Sequence, residues 1–145
     1  MEFTRGSSSY TRLQVHVTFK VKYCHKIFLY TKLREECRQL FYQIAEEQGV
    51  VIDEMGFDED HVHMIWRIRV TQSLDNLAKA FKGTTGRKLL DAHPFIKKKY
   101  FWKSGMWSGV IYGDTIGRNY DKISNYVKLQ KLERQSVLEF RQSIA

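Results

Sequence analysis

From Leu13 onward apolar and polar residues alternate. Leu13, Val15, Val17, Phe19, Val21 and Tyr23 fall on one side, and Gln14, His16, Thr18, Lys20 and Lys22 on the other. A period of two is that of a β-strand, so the pattern predicts a half-buried strand with a basic open face. The period then changes. Leu33, Cys37, Leu40, Phe41 and Ile44 recur at helical spacing, with Thr31 placed as an N-cap and Gly49 as a C-cap. Val50 to Phe57 reads as a second strand. Gly56 and the acidic Asp58-Glu59-Asp60 turn the chain into a third, which starts at His61 and continues through Ile65-Trp66-Arg67-Ile68-Arg69-Val70, so strands two and three form a hairpin.

Ser73 caps a second helix, with Leu74, Leu77 and Phe81 inward and Lys79, Lys82, Arg87 and Lys88 outward. Gly83 and Gly86 lie within it, each costing about 1 kcal/mol relative to Ala. Either the helix ends near them or something must approach closely there. His93-Pro94 reads as a turn, with His93 structural. Lys97-Lys98-Lys99-Tyr100-Phe101-Trp102-Lys103 reads as a basic loop or as a contact for single-stranded nucleic acid. Trp107 to Tyr112 predicts the last strand and about Arg118 to Glu133 a final helix. The order is that of an α+β, ferredoxin-like split βαβ fold: an antiparallel sheet with helices on one face, plus an extra C-terminal helix. Residues 1–11, small and polar, read as a flexible tail, and residues 12–145 as a single domain.

Composition narrows the partner. Lys and Arg number 24 against 16 Asp and Glu, a net charge of +8, which favours a polyanion and nucleic acid first. Cys24 and Cys37 are too few for a disulfide framework or a thiolate metal site. No apolar run approaches the roughly 20 residues of a membrane span, and no secretory signal opens the chain, so the expectation is a cytoplasmic protein with no membrane partner.

The third strand carries the candidate chemistry. His61 and His63 project from the same face, about 7 Å apart along the strand. Ile65, Arg67 and Arg69 share that face, and Val62, Met64, Trp66, Ile68 and Val70 form the apolar opposite one. Two neutral imidazoles on a rigid strand can chelate one metal ion, although strands also carry histidines for packing alone. In the final helix Lys122, Tyr126 and Gln130 recur every four residues and so share one face. Gln130 could add a neutral oxygen ligand. Mixed N/O ligation suits Mg²⁺ or Mn²⁺, while imidazole alone would also accept Zn²⁺, Ni²⁺ or Co²⁺. A phenol is a poor nucleophile at neutral pH, its pKa being about 10. A metal-held phosphate target and a nearby Lys122 ammonium would both help Tyr126 attack.

Several stretches together resemble the single-tyrosine HUH transposases of small insertion sequences, the IS200-like group. They are Asp60-His61-Val62-His63, His16 with Lys22-Tyr23, Lys82-Gly83-Thr84-Thr85-Gly86-Arg87-Lys88-Leu89, Phe101-Trp102-Lys103-Ser104-Gly105-Met106-Trp107-Ser108-Gly109, and Ile123 to Gln130. The resemblance covers about Val15 to Leu132 and departs from the usual pattern at Met106, where Tyr is more usual, and at Gly86. It implies a transposase that cleaves and rejoins single-stranded DNA at hairpin-bearing element ends. Tyr126 would form a 5′-phosphotyrosine link without ATP. His61, His63 and Gln130 would hold Mg²⁺ or Mn²⁺, with Asp60 and Lys122 in support. It also implies a homodimer in which the tyrosine helix of one subunit completes the histidine site of the other. Candidate DNA contacts are Arg67, Arg69, Lys79, Lys82, Arg87, Lys97, Lys98 and Lys99. Two rivals stay open: another HUH nickase of the replication-initiator or relaxase type, and a non-catalytic ferredoxin-like nucleic-acid-binding protein.

Overall fold

Apolar residues at every second position of two strands need a cover, and two amphipathic helices supply it. The computed structural model describes residues 12–115. Their elements are β1 (Arg12–Val21), α1 (Thr31–Gln48), β2 (Val51–Phe57), β3 (His61–Arg69), α2 (Leu74–Ala92), α3 (Pro94–Tyr100) and β4 (Trp107–Thr115). Two short 3-10 turns, Lys22–Cys24 and Ile27–Leu29, join β1 to α1. The sheet order is β2-β3-β1-β4 with every neighbouring pair antiparallel. This is the split βαβ arrangement expected of the pattern. The expected tail at 1–11 and the expected final helix, with Lys122, Tyr126 and Gln130, lie outside the described residues.

The covered face of the sheet is built from Val15, Val17, Phe19 and Val21 of β1 and Val62, Met64, Trp66 and Ile68 of β3, all buried. Phe41 of α1 meets Phe19 at 5.9 Å between ring centroids, and Phe81 of α2 meets Trp66 at 4.4 Å. Phe41 and Phe81 in turn lie 5.8 Å apart. The two helices thus share one aromatic layer over one sheet face, and the second face carries His16, Thr18, His61, His63 and Arg67 beside the buried Ile65. Both cysteines are free, Cys37 inside this core and Cys24 exposed. Burial pushes the Cys37 thiol well up, so it stays protonated and inert.

Two helix ends follow the sequence, the start of α2 and the end of α1. Ser73 Oγ accepts from the backbone N–H of Asn76, as an N-cap does. Gly49 ends α1 with φ 68° and donates its N–H to the Ala45 and Glu46 carbonyls. A Cβ at Gly49 would demand the left-handed conformation of an L-residue and would run into the Arg69 guanidinium. Gly49→Ala is expected to destabilise the chain by about 1–2 kcal/mol, measured by urea unfolding. An unchanged midpoint would mean that α1 can end elsewhere at no cost.

Four expectations are corrected. Thr31 is the first helical residue rather than the cap; Tyr30 holds that position and makes no side-chain cap bond. Tyr23 does not continue β1. The Val21 N–H bonds to the Asp60 carbonyl and the Lys22 N–H to the Met106 carbonyl, which ends the ladder. Tyr23 and Cys24 then take left-handed φ values of 61° and 56°, and the Tyr23 ring is exposed. His93-Pro94 starts a helix rather than a turn, with proline in its favoured first-turn position. The basic run Lys97-Lys98-Lys99 is consequently helical, where three cations oppose the negative end of the helix dipole. His93 is structural as expected, its Nε2 lying 2.6 Å from Glu36 Oε2 on α1.

Candidate metal and nucleic-acid site

A two-residue turn, Glu59-Asp60, joins β2 to β3, with the Asp58 N–H bonded to the His61 carbonyl at 2.9 Å. Phe57 pairs with Val62, so Asp58 lies opposite His61 at the hairpin end. Residues opposite one another across a ladder share a face. Asp58, His61 and His63 therefore project from the sheet face away from the helices. The turn is fastened to the rest of the fold. The Glu59 carbonyl accepts from Phe28 N–H at 3.0 Å, the Asp60 carbonyl accepts from Val21 N–H at 2.8 Å, and Lys26 pairs with the Glu59 carboxylate at 3.5 Å.

His61 Nε2 lies 2.8 Å from His63 Nε2 and 2.9 Å from Asp58 Oδ2, and His63 Nε2 lies 3.6 Å from the same oxygen. The far nitrogens have partners of their own. His61 Nδ1 meets Asp60 Oδ1 at 2.7 Å, and His63 Nδ1 meets Thr18 Oγ1 on β1 at 3.1 Å. The His16 ring stacks on His63 with centroids 5.6 Å apart. Asp60 thus orients the His61 ring from behind. Asp58, His61 and His63 could hold a metal ion, their ligand atoms all lying within 4.8 Å of one another. Ligands in adjacent positions of an octahedral ion are about 3 Å apart when the bonds are about 2.1 Å, close to the spacings found.

Asp58 and Thr18 join the site without a signal in the sequence pattern. The acidic triplet reads as turn polarity, and only the hairpin register, with Phe57 against Val62, moves Asp58 from turn to site. The pattern puts Thr18 on the open face, but its pairing with His63 needs the β1–β3 register.

The basic candidates separate. Arg67 is on the site face, but its Nε lies 3.0 Å from Asp53 Oδ1 on β2, in a largely buried ion pair. Arg69, at the strand end, is exposed. Lys82 is half-buried and donates to the Ser108 carbonyl, and desolvation lowers its pKa. Thr85 donates to the Phe81 carbonyl and accepts from Trp107 Nε1–H at 2.9 Å. Gly86 is buried where Met106 and Trp107 pack, and α2 continues through it. The Lys82–Leu89 and Phe101–Gly109 motifs therefore build one joint between α2 and β4. That joint borders an open groove of about 570 Å³ lined by Lys79, Lys82, Arg87, Lys97 and Ser108 among others. The groove belongs to the helix layer, away from the histidines. Lys79 also pairs with Asp75 at 3.0 Å, and Lys98 and Lys99 are exposed on α3, Lys99 beside the Tyr100 ring.

Among the described residues no helix is long and apolar enough to cross a membrane. A family model described as "Transposase IS200 like" matches residues 9–130. The ISDra2 transposase TnpA of Deinococcus radiodurans is 26% identical over 131 residues, covering 90% of this chain and 92% of that protein. The transposase for insertion sequence element IS200 of Salmonella typhimurium is 30% identical over 119 residues, covering 79% and 74%. In structure, the fold superposes on a crystal structure from Deinococcus radiodurans R1 with a TM-score of 0.70 at 21% identity, covering 87% of this chain and 96% of that one. A REP-associated tyrosine transposase bound to a REP hairpin gives 0.57 at 12% identity, covering 83% and 67%. At these identities the structural matches speak for the fold.

Proposed function

The chain belongs to the IS200-like transposase family, and from that membership we propose that it cleaves and rejoins single-stranded DNA at insertion-sequence ends through a 5′-phosphotyrosine link. The observation that carries this reading is the convergence of His61 Nε2 and His63 Nε2 on one point of a rigid strand. Asp60 and Thr18 fix the ring orientations from behind.

Tyr126 is the proposed nucleophile. Its phenol oxygen bonds to the target phosphorus, its proton leaves, and the bond to the departing 3′ oxygen breaks to give a 3′-OH. The reverse displacement by another 3′-OH rejoins a strand and frees the tyrosine, so the phosphodiester count is unchanged and no ATP is needed. His61, His63 and Gln130 are the proposed holders of a divalent ion, Mg²⁺ or Mn²⁺. When bound, such an ion neutralises charge on the target phosphate and the leaving oxygen. Lys122 favours the phenolate by its charge. A homodimer, with Tyr126 and Gln130 serving the histidines of the partner, and a cytoplasmic setting complete the proposal. Because a structural neighbour is bound to a hairpin, hairpin-bearing single strands are the substrate to try first.

The test is a denaturing gel of the protein with single-stranded DNA from the flanks of its own gene, with Mn²⁺ or Mg²⁺ and then with chelator. A detergent-resistant protein–DNA band that requires metal is expected. Tight binding without any adduct would instead leave a nucleic-acid-binding module.

The groove supplies a second check. Removing one phosphate-binding cation should lower the slope of log affinity against log salt by about 0.7–0.9. The triple substitution Lys79→Ala, Arg87→Ala, Lys97→Ala is expected to flatten that slope by about 2. An unaltered slope in filter binding would remove the groove from the DNA path.

A further inference from the structure

We propose that Asp58 is a protein ligand of the metal, so that one chain closes a two-histidine, one-carboxylate set on its own β2–β3 hairpin. The inference deepens the metal-dependent reading above and rests on it. That reading needs only the histidines and an oxygen from the final helix. The hairpin adds a carboxylate that no helix has to deliver.

The first argument is the direction of lone pairs. His61 Nδ1 faces the Asp60 carboxylate, which can only accept; with the ring proton on Nδ1, Nε2 presents a lone pair toward Asp58 and His63. When His63 Nδ1–H is donated to the Thr18 hydroxyl oxygen, His63 Nε2 presents another. Asp58 Oδ2 adds a third, 2.9 Å from His61 Nε2 and 3.6 Å from His63 Nε2. In these tautomers the three lone pairs converge, and a divalent cation between them is held by all three at once.

The second argument is fit. With sides of 2.8, 2.9 and 3.6 Å, the triangle of ligand atoms has a point about 2.1 Å from all three, standing about 1 Å off their plane. Three ligands on one side of an octahedral ion have this shape. It leaves the opposite positions for phosphate oxygens, water and the Gln130 carbonyl. Two imidazoles with one carboxylate and open positions form a recurrent metal-binding triad.

The third argument is rigidity. Asp58 is held by the turn hydrogen bond to His61, and the turn is tied to β1 and to the Ile27–Leu29 turn by backbone bonds. The carboxylate is therefore in place before any DNA or second subunit arrives. Gln130 enters as an additional neutral oxygen, and ion retention does not wait for it.

Titration of the full chain with Mn²⁺, following free Mn²⁺ by electron paramagnetic resonance, decides the matter. Asp58→Ala is expected to weaken Mn²⁺ binding about tenfold or more, an effect at least as large as that of removing a supporting partner. Asp58→Asn keeps the shape without the charge and should fall between. Gln130→Ala removes a neutral oxygen rather than a charged one and should weaken Mn²⁺ binding less than Asp58→Ala does. Thermal unfolding without metal checks that each variant folds; if Asp58→Ala does not, Asp58→Asn carries the comparison. Mn²⁺ affinity unaffected by either Asp58 substitution would overturn the proposal, as would a larger loss in Gln130→Ala than in Asp58→Ala. Failure of the underlying reading looks different: no Mn²⁺ uptake by the unsubstituted chain, or uptake that survives His61→Ala and His63→Ala.

Discussion

Tyr126→Phe is expected to abolish the protein–DNA adduct while leaving DNA affinity nearly unchanged. The substitution removes one oxygen atom and keeps the ring. If that oxygen is the nucleophile, no other group can form the phosphotyrosine bond, and cleavage should drop by at least about 10³-fold, as it does when a covalent nucleophile is deleted elsewhere. Affinity depends on different groups. Phosphate contacts by Lys and Arg dominate binding to nucleic acid, and the phenol oxygen is a small part of that surface. The same denaturing gel reads the adduct, and filter binding in parallel reads affinity. An adduct that persists would move the nucleophile to another residue. A parallel loss of binding and cleavage would show that Tyr126 helps to hold DNA rather than attack it.

Fold and site differ in how far the hydrophobic pattern reaches. Strands β1 and β3 announce themselves because each buries one face completely, so Val15 to Val21 and Val62 to Ile68 alternate with polar residues. Gly49 and Ser73 mark helix ends through chemistry that few other residues supply. Helix α3 is hidden because its seven residues bury only Ile96, too little to impose a period. The histidine pair is legible from strand geometry alone. Asp58 is not, since its membership depends on the register of a partner strand rather than on its own neighbours. The motifs around Lys82 and Trp102 illustrate a third case. Their charge and aromatic content suggest contact with DNA, yet Lys82, Thr85 and Trp107 bond α2 to β4. Such a joint restricts residue type as tightly as a substrate does, and sequence spacing does not separate the two.

His61→Ala and His63→Ala test whether the pair serves chemistry or packing. Both are expected to lose Mn²⁺ binding and adduct formation, with a modest change in stability. The reason lies in the two faces of β3. Val62, Met64 and Trp66 are essentially inaccessible on the helix side and supply the packing. Burial of a large aromatic makes Trp66→Ala cost about 3–5 kcal/mol, which serves as the yardstick. His61 and His63 instead point to the other face, where their partners are Asp58, Asp60, Thr18 and each other. Removing either ring takes away polar partners rather than core volume. The expected cost in the absence of metal is about 1 kcal/mol, the worth of a hydrogen bond or two. The variants should also lose the rise in unfolding temperature that Mn²⁺ gives the unsubstituted chain, since an ion that binds only the folded state stabilises it by mass action. Thermal melts with and without Mn²⁺, run beside Trp66→Ala, separate the outcomes. Destabilisation near that of Trp66→Ala in both histidine variants would make them core residues. A metal-free melt close to the unsubstituted chain, with no Mn²⁺ shift and no adduct, would assign them to the ion.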